Sequence, residues 1–185
     1  MAMSSGAKGF VYKKNLRPGV EQPATLEVTL ANSAGPLTIG DAVQYTSGYL
    51  TIAATTESIL GILVGFRTAK GENIFKTNEA ISGTISGEDT YTAASDNVTV
   101  DKVKGVVIVD DKALFLNTAD STLTAAEVGT YFDTTASSDQ ITGSGSGTIS
   151  QFQLVELVTV DDEGNADDDA GLFRISQSQL GWAAS

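Results

Sequence analysis

Residues 37–66 read LTIGDAVQYTSGYLTIAATTESILGILVGF, and this stretch decides the fold class. Ala42-Val43-Gln44-Tyr45-Thr46 alternates apolar and polar, Ser47-Gly48 breaks the run, and Tyr49-Leu50-Thr51-Ile52-Ala53 alternates again. That pattern predicts a half-buried β-hairpin, with Val43, Tyr45, Leu50 and Ile52 on one buried face. After the polar break Thr55-Thr56-Glu57-Ser58, the run Ile59-Leu60-Gly61-Ile62-Leu63-Val64 is apolar at every position. It predicts a central strand covered from both sides, with the hairpin packed against it.

A weaker copy of the unit follows later. Leu37-Thr38-Ile39-Gly40-Asp41 leads to Tyr45, eight residues after the Leu, and Leu123-Thr124-Ala125-Ala126-Glu127 leads to Tyr131 at the same offset. Both copies set a Thr and a carboxylate three apart, the spacing at which an acid answers a capped first turn. Both also precede a long apolar run, Ile59 to Val64 and Phe152 to Val160. The echo favours two related β modules.

The 185 residues include 19 Gly, no Cys and no His, and carry a formal charge of −12. A chain of this length buries about 70% of its unfolded surface without disulfides or metals. Thiol chemistry, Cys/His zinc sites, imidazole acid–base catalysis and Ser-His-Asp triads are excluded by composition. Strong net negative charge argues against broad contact with nucleic acid, whose phosphates would repel it. The charge is uneven: Lys8, Lys13, Lys14 and Arg17 give the first twenty residues +4, and the remainder holds −16. The opening MAMSSGAKGF lacks the apolar core of a secretory signal, and no window approaches 18 consecutive apolar residues, so a soluble chain made in the cytoplasm is expected.

Spaced strand-like runs and turn residues predict an all-β protein, a β-barrel or β-sandwich. The expected organisation is an extended basic N-terminal arm (1–24), a first β module (25–90) and a second (91–185), with one continuous β domain as the alternative to two modules. In the first module, Leu26, Val28 and Leu30 should point inward, and Ile81 to Ser86 should be an edge strand or bulge. In the second, Val106–Val109 and Ala113–Leu116 should pair across an Asp110-Asp111 turn, and Thr122 to Glu127 should form one helical turn stopped by Gly129. Residues 137–150, with GSGSG, read as a protruding loop, and 171–176 should pair with Gln151 to Val160. The arm should dock on a partner, with Lys8, Phe10, Tyr12, Lys13, Lys14 and Arg17 as contacts and Trp182, near the other terminus, as a further one.

Three groups of residues could carry chemistry, and each has a plainer use. Asp161, Asp162, Glu163, Asp167, Asp168 and Asp169 could supply oxygens to calcium, but they lack the EF-hand order, and a solvated hairpin tip is the simpler reading. Asp41 and Glu127 could pair for glycoside hydrolysis, yet their equivalent places argue for equal turn-capping roles. Tyr45, Tyr49, Tyr131 and Phe132 could stack on a sugar, but their alternating neighbours favour core packing. No catalytic, cofactor-binding or metal-binding residue is assigned, and the chain is read as a non-enzyme.

The phrase L-T-x-G-D-A-V-x-Y (37–45), followed by S-G-x-L and the I-L-G-I-L-V-G strand, resembles the auxiliary head proteins, the decoration or cement proteins, of tailed bacteriophages. LTAAEVGTYFDT (123–134) and Phe173-Arg174-Ile175-Ser176 resemble β modules of phage structural proteins. The resemblance implies a virion protein on the capsid exterior, often a homotrimer, that binds the major capsid protein and neighbouring copies of itself, with no cofactor, nucleic acid or membrane. Other virion components, such as a head fibre or tail protein, and a carbohydrate- or calcium-binding β module are the rival readings.

Overall fold

The computed structural model describes residues 9–77, 79–135, 140–142, 145–160 and 166–180. Among them the strands are β1 (Val11–Asn15), β2 (Thr25–Thr29), β3 (Leu37–Thr38), β4 (Ala42–Thr46), β5 (Tyr49–Ile52), β6 (Gly61–Arg67), β7 (Thr84–Ser86), β8 (Thr90–Thr92), β9 (Lys104–Ile108), β10 (Ala113–Thr118), β11 (Tyr131–Phe132), β12 (Phe152–Val160) and β13 (Ala166–Ile175). A single 3₁₀ turn spans Ala125–Glu127, and Gly129 with φ +92° follows it, as the Thr-to-Glu spacing predicted. The chain is all-β, built from three antiparallel sheets.

The middle sheet has the order β2-β9-β6-β4-β5, the outer sheet β1-β10-β13-β12-β11, and a small sheet β3-β8-β7. Ala42, Ile59, Ile62 and Ile108 of the middle layer pack with Phe115, Phe132, Phe152, Leu154, Phe173 and Ile175 of the outer sheet region. Val43, Leu50, Leu63 and Val107 face the opposite way, into a second core with Leu37 and Tyr91 of the small sheet. The middle sheet is therefore covered on both faces, which is why the run Ile59–Val64 had to be apolar at every position. A register shift between Leu63 and Gly65 loops Val64 out of step, so Phe66 rejoins Leu63 in the second core. Gly61 sits where a Cβ would lie 2.0 Å from the Ile108 carbonyl oxygen, so no larger residue fits against β9 there.

The hairpin forms as read, with Val43 opposite Ile52 and Tyr45 opposite Leu50, and it joins β6 through Ala42 and Val43. Val43 and Leu50 are buried, but Tyr45 and Ile52 are 49% and 39% exposed, and Leu26 is 42% exposed. The two edges of the middle sheet meet at a single parallel bridge, Leu30 to Leu50. None of the sheets closes, so the sandwich alternative holds and the barrel does not.

The two halves repeat one strand order. In the middle sheet, the strands β2, β4, β5, β6 and β9 lie in the sequence first, fifth, fourth, second, third. In the outer sheet β10, β13, β12 and β11 fall in the same first, fifth, fourth, second order, and Ser146, bridged to Tyr131, takes the third strand's place. Within residues 90–108, β8 pairs with β3 and β7, and β9 pairs with β2 and β6. The expected hairpin of 106–109 with 113–116 does not form: β9 pairs with β2 and β6, whereas β10 pairs with β1 and β13. The link Val109–Lys112 instead carries the chain from one sheet to the other, held by a carboxylate described below.

Candidate docking surface

The described N-terminal residues from Gly9 to Asn15 are built into the body. Gly9, at φ +70°, lies so close to Gly40 that a Cβ would come within 2.9 Å of its backbone, and the Phe10 N–H donates to the Gly40 carbonyl at 2.9 Å. This aims Phe10 inward, 3% exposed, where its ring stacks on Phe152 at 4.3 Å and meets Phe115 edge-on at 6.3 Å. β1 then adds to the outer sheet, Val11 opposite Leu116 and Asn15 opposite Ala113, with a bulge at Lys13. Tyr12, half-buried, packs edge-on against Phe115.

Two of the N-terminal charges, Lys14 and Arg17, find partners within the chain. Lys14 pairs with Glu156 at 3.1 Å and Arg17 with Asp111 at 2.7 Å, in ion pairs whose basic side chains are about half exposed. Asp110 is the buried member of the group, 4% exposed. Its carboxylate accepts from the Asn15 side-chain amide at 2.7 Å, the Lys112 N–H at 2.9 Å and the Ala24 N–H at 3.4 Å, with Arg17 3.9 Å away. Burial pushes its pKa up, but these donors and the guanidinium outweigh burial and hold the carboxyl below its ordinary value. One side chain thus fastens the end of β1, the start of β2 and the crossing to β10.

Of the seven expected docking residues, the structure brings Tyr12, Lys13, Lys14 and Arg17 to one edge of the outer sheet and buries Phe10. Lys8 and Trp182 lie outside the described residues. Lys13, at the bulge, is exposed, and Lys14 and Arg17 keep half their surface while paired. The segment from Gly9 to Asn15 is not a free arm; it pairs with β10, about a hundred residues away.

The acidic stretch splits. Residues 161–165 lie outside the described residues, and 166–169 belong to β13, which pairs with β12 up to Val160 opposite Ala166. Asp41 and Glu127 do the same job in separate places: the Thr38 N–H donates to Asp41 at 2.8 Å, and the Thr124 N–H to Glu127 at 2.7 Å. Each carboxylate closes its own turn. Tyr45 and Tyr49 stand on the middle sheet, Tyr131 and Phe132 on the outer one, and Phe132 is buried, so they form no common platform.

One surface was missed by the sequence reading. Leu26, Tyr45 and Leu180, each more than 40% exposed, line an open groove of about 380 Å³ with Gly48 at its rim and Val28 and Leu60 at its floor. Gln179 holds this place together, accepting from the Tyr45 N–H at 2.6 Å and donating to its carbonyl at 3.2 Å. Beside it Glu27 pairs with Arg67 and Lys104, which leaves the β2 edge without excess negative charge. The exposed Tyr on an alternating strand was the available signal; its neighbours argued for the core.

No family model, curated protein or solved structure matches this chain.

Proposed function

We propose that this chain is a non-enzymatic structural protein of a tailed-phage virion, binding the outer surface of the capsid and stabilising it. The observation that carries this reading is what becomes of the Leu37–Phe66 phrase: its apolar residues build the middle layer between two cores, and its one turn carboxylate, Asp41, caps that turn. A layered β body of this kind suits a protein whose work is adhesion. The net charge of −12 keeps such a body soluble and apart from nucleic acid. The groove of Leu26, Tyr45 and Leu180 offers apolar surface for contact, at a place where the local acid is already neutralised by Arg67 and Lys104.

In this reading each copy, or a trimer of copies, spans more than one major capsid subunit, and multivalency multiplies a modest contact into a firm clamp. Particles without the protein then rupture at lower temperature. The test is cosedimentation with empty shells of the major capsid protein encoded alongside this chain. Saturable binding that Leu26→Asp or Tyr45→Asp weakens supports the reading. Failure of the native chain to bind at any concentration overturns it.

A further inference from the structure

We infer that the groove of Leu26, Tyr45 and Leu180 is the seat of the chain's own Trp182, whose indole fills it in the free protein. Hydrogen bonds lead the chain to this place. After β13 it runs parallel beside Ile59: the Ile59 N–H donates to the Gln177 carbonyl at 3.1 Å, and the Gln179 N–H donates to the Ile59 carbonyl at 2.8 Å. The Gln179 side chain then engages both backbone groups of Tyr45, as a neighbouring strand would. The Leu180 N–H turns back onto the Ser178 hydroxyl at 3.1 Å, and Leu180 itself forms part of the groove wall. Residues 181–185, GWAAS, follow outside the described residues.

Trp182 is thus tethered to the groove wall through Gly181 alone. Two residues span at most about 7 Å between Cα atoms, and glycine, with no Cβ, accepts the turn that brings the next side chain back. So short a tether makes the contact intramolecular, with an effective concentration of at least about 1 mM, and a modest affinity is enough to hold the indole. The groove suits that side chain. Its walls leave apolar surface uncovered at Leu26, Tyr45 and Leu180, and a large apolar ring so close by gains by covering it. Thr29 in the lining carries a hydroxyl that can accept from the indole N–H. Glu27 beside it is already paired with Arg67 and Lys104, which fits an uncharged occupant. The inference concerns the free chain and does not rest on the capsid reading; under that reading the shell and Trp182 compete for one groove.

Trp182 is the only Trp of the chain, so fluorescence excited beyond tyrosine absorption reports it alone. In the full-length protein its emission should lie to the blue of the urea-unfolded chain and acrylamide should quench it several-fold less, neither changing on dilution. Leu26→Asp should move the emission to the red and restore quenching. Val128→Asp, at an exposed apolar position next to Gly129, whose N–H bonds the Leu154 carbonyl of β12, should do neither. A second measurement leaves the groove intact and is clean because the chain has no native cysteine. A nitroxide quencher on Ser47→Cys, exposed and adjacent to Gly48 at the groove rim, should dim Trp182 several-fold more than one on Val128→Cys. Emission and quenching equal to those of the unfolded chain overturn the inference. So does protection lost on dilution, which assigns the cover to a second copy, and so does protection without stronger dimming from position 47, which seats the indole elsewhere.

Discussion

Phe10 stacks on Phe152 with ring centroids 4.3 Å apart and planes 19° from parallel, joining the start of the chain to the first residue of β12. Removing one ring from a fully packed pair leaves a cavity and loses the buried apolar area. Phe10→Ala should cost about 3 kcal/mol, while Lys14→Ala, which breaks an exposed ion pair nearby, should cost under about 1 kcal/mol. Guanidinium unfolding of both variants distinguishes them. Equal, small losses would show that the N-terminal strand adds nothing to the body's stability.

Asp110 gathers donors from three separated segments into one buried carboxylate. Asp110→Ala leaves the Asn15 amide and the Lys112 and Ala24 N–H groups without their acceptor, a loss of about 2–3 kcal/mol. Because its folded pKa lies below the ordinary 3.8, the carboxylate's contribution is present above that value and disappears as pH falls through the lower folded one. Native protein should therefore lose stability on acidification below about pH 4, and Asp110→Asn should lose less. Urea midpoints at neutral and acid pH provide the check.

Tyr91 is fully buried between the middle and small sheets, and its hydroxyl has no hydrogen-bond partner among the described residues. Burial first, and the negative charge of Asp101 second, push its pKa up to about 12. A phenol whose folded pKa exceeds the ordinary 10.0 stabilises the fold below that pH and ceases to do so as pH rises toward the folded value. Stability should fall between those limits, and ultraviolet titration should show one Tyr ionising with unfolding. Tyr91→Phe removes an unsatisfied hydroxyl and should be neutral or stabilising by up to about 1 kcal/mol, removing its own share of the alkaline loss.

The two matching turns differ in burial, and that difference sets their sensitivity. Glu127 closes an exposed turn, so Glu127→Ala should cost about 0.5–1 kcal/mol. Asp41 is 4% exposed and sits under the small sheet, so Asp41→Ala strands the Thr38 N–H away from water and should cost about 2 kcal/mol or more. Thermal melts of the two single variants test the ordering; the reverse ordering would mean that burial does not govern these turns.

Local pattern in the sequence determined the parts whose partners are close by. Alternation over 42–53 set the β4–β5 hairpin, the apolar run at 59–64 required a strand with two covered faces, and Thr-x-x-acid spacing set both turns. Each of these depends on residues within a few positions of one another, so side-chain period and capping chemistry suffice. The two like turns, opened by Leu37 and Leu123, were visible for the same reason. The tertiary structure alone decided which strands are neighbours. β9 and β10 are adjacent in sequence and were read as a hairpin, but Asp110 diverts the chain between sheets by gathering Asn15 and Ala24 from far upstream. Phe10, hidden among lysines, became a core residue because Gly9 can press against Gly40 and because Phe152 waits across the outer sheet. Tyr45 and Leu26, apolar on strands of the expected period, stay about half exposed and line an open groove instead of entering the core. Pairing between distant segments and the reach of a covering layer depend on the whole chain's packing, which no local window of residues contains.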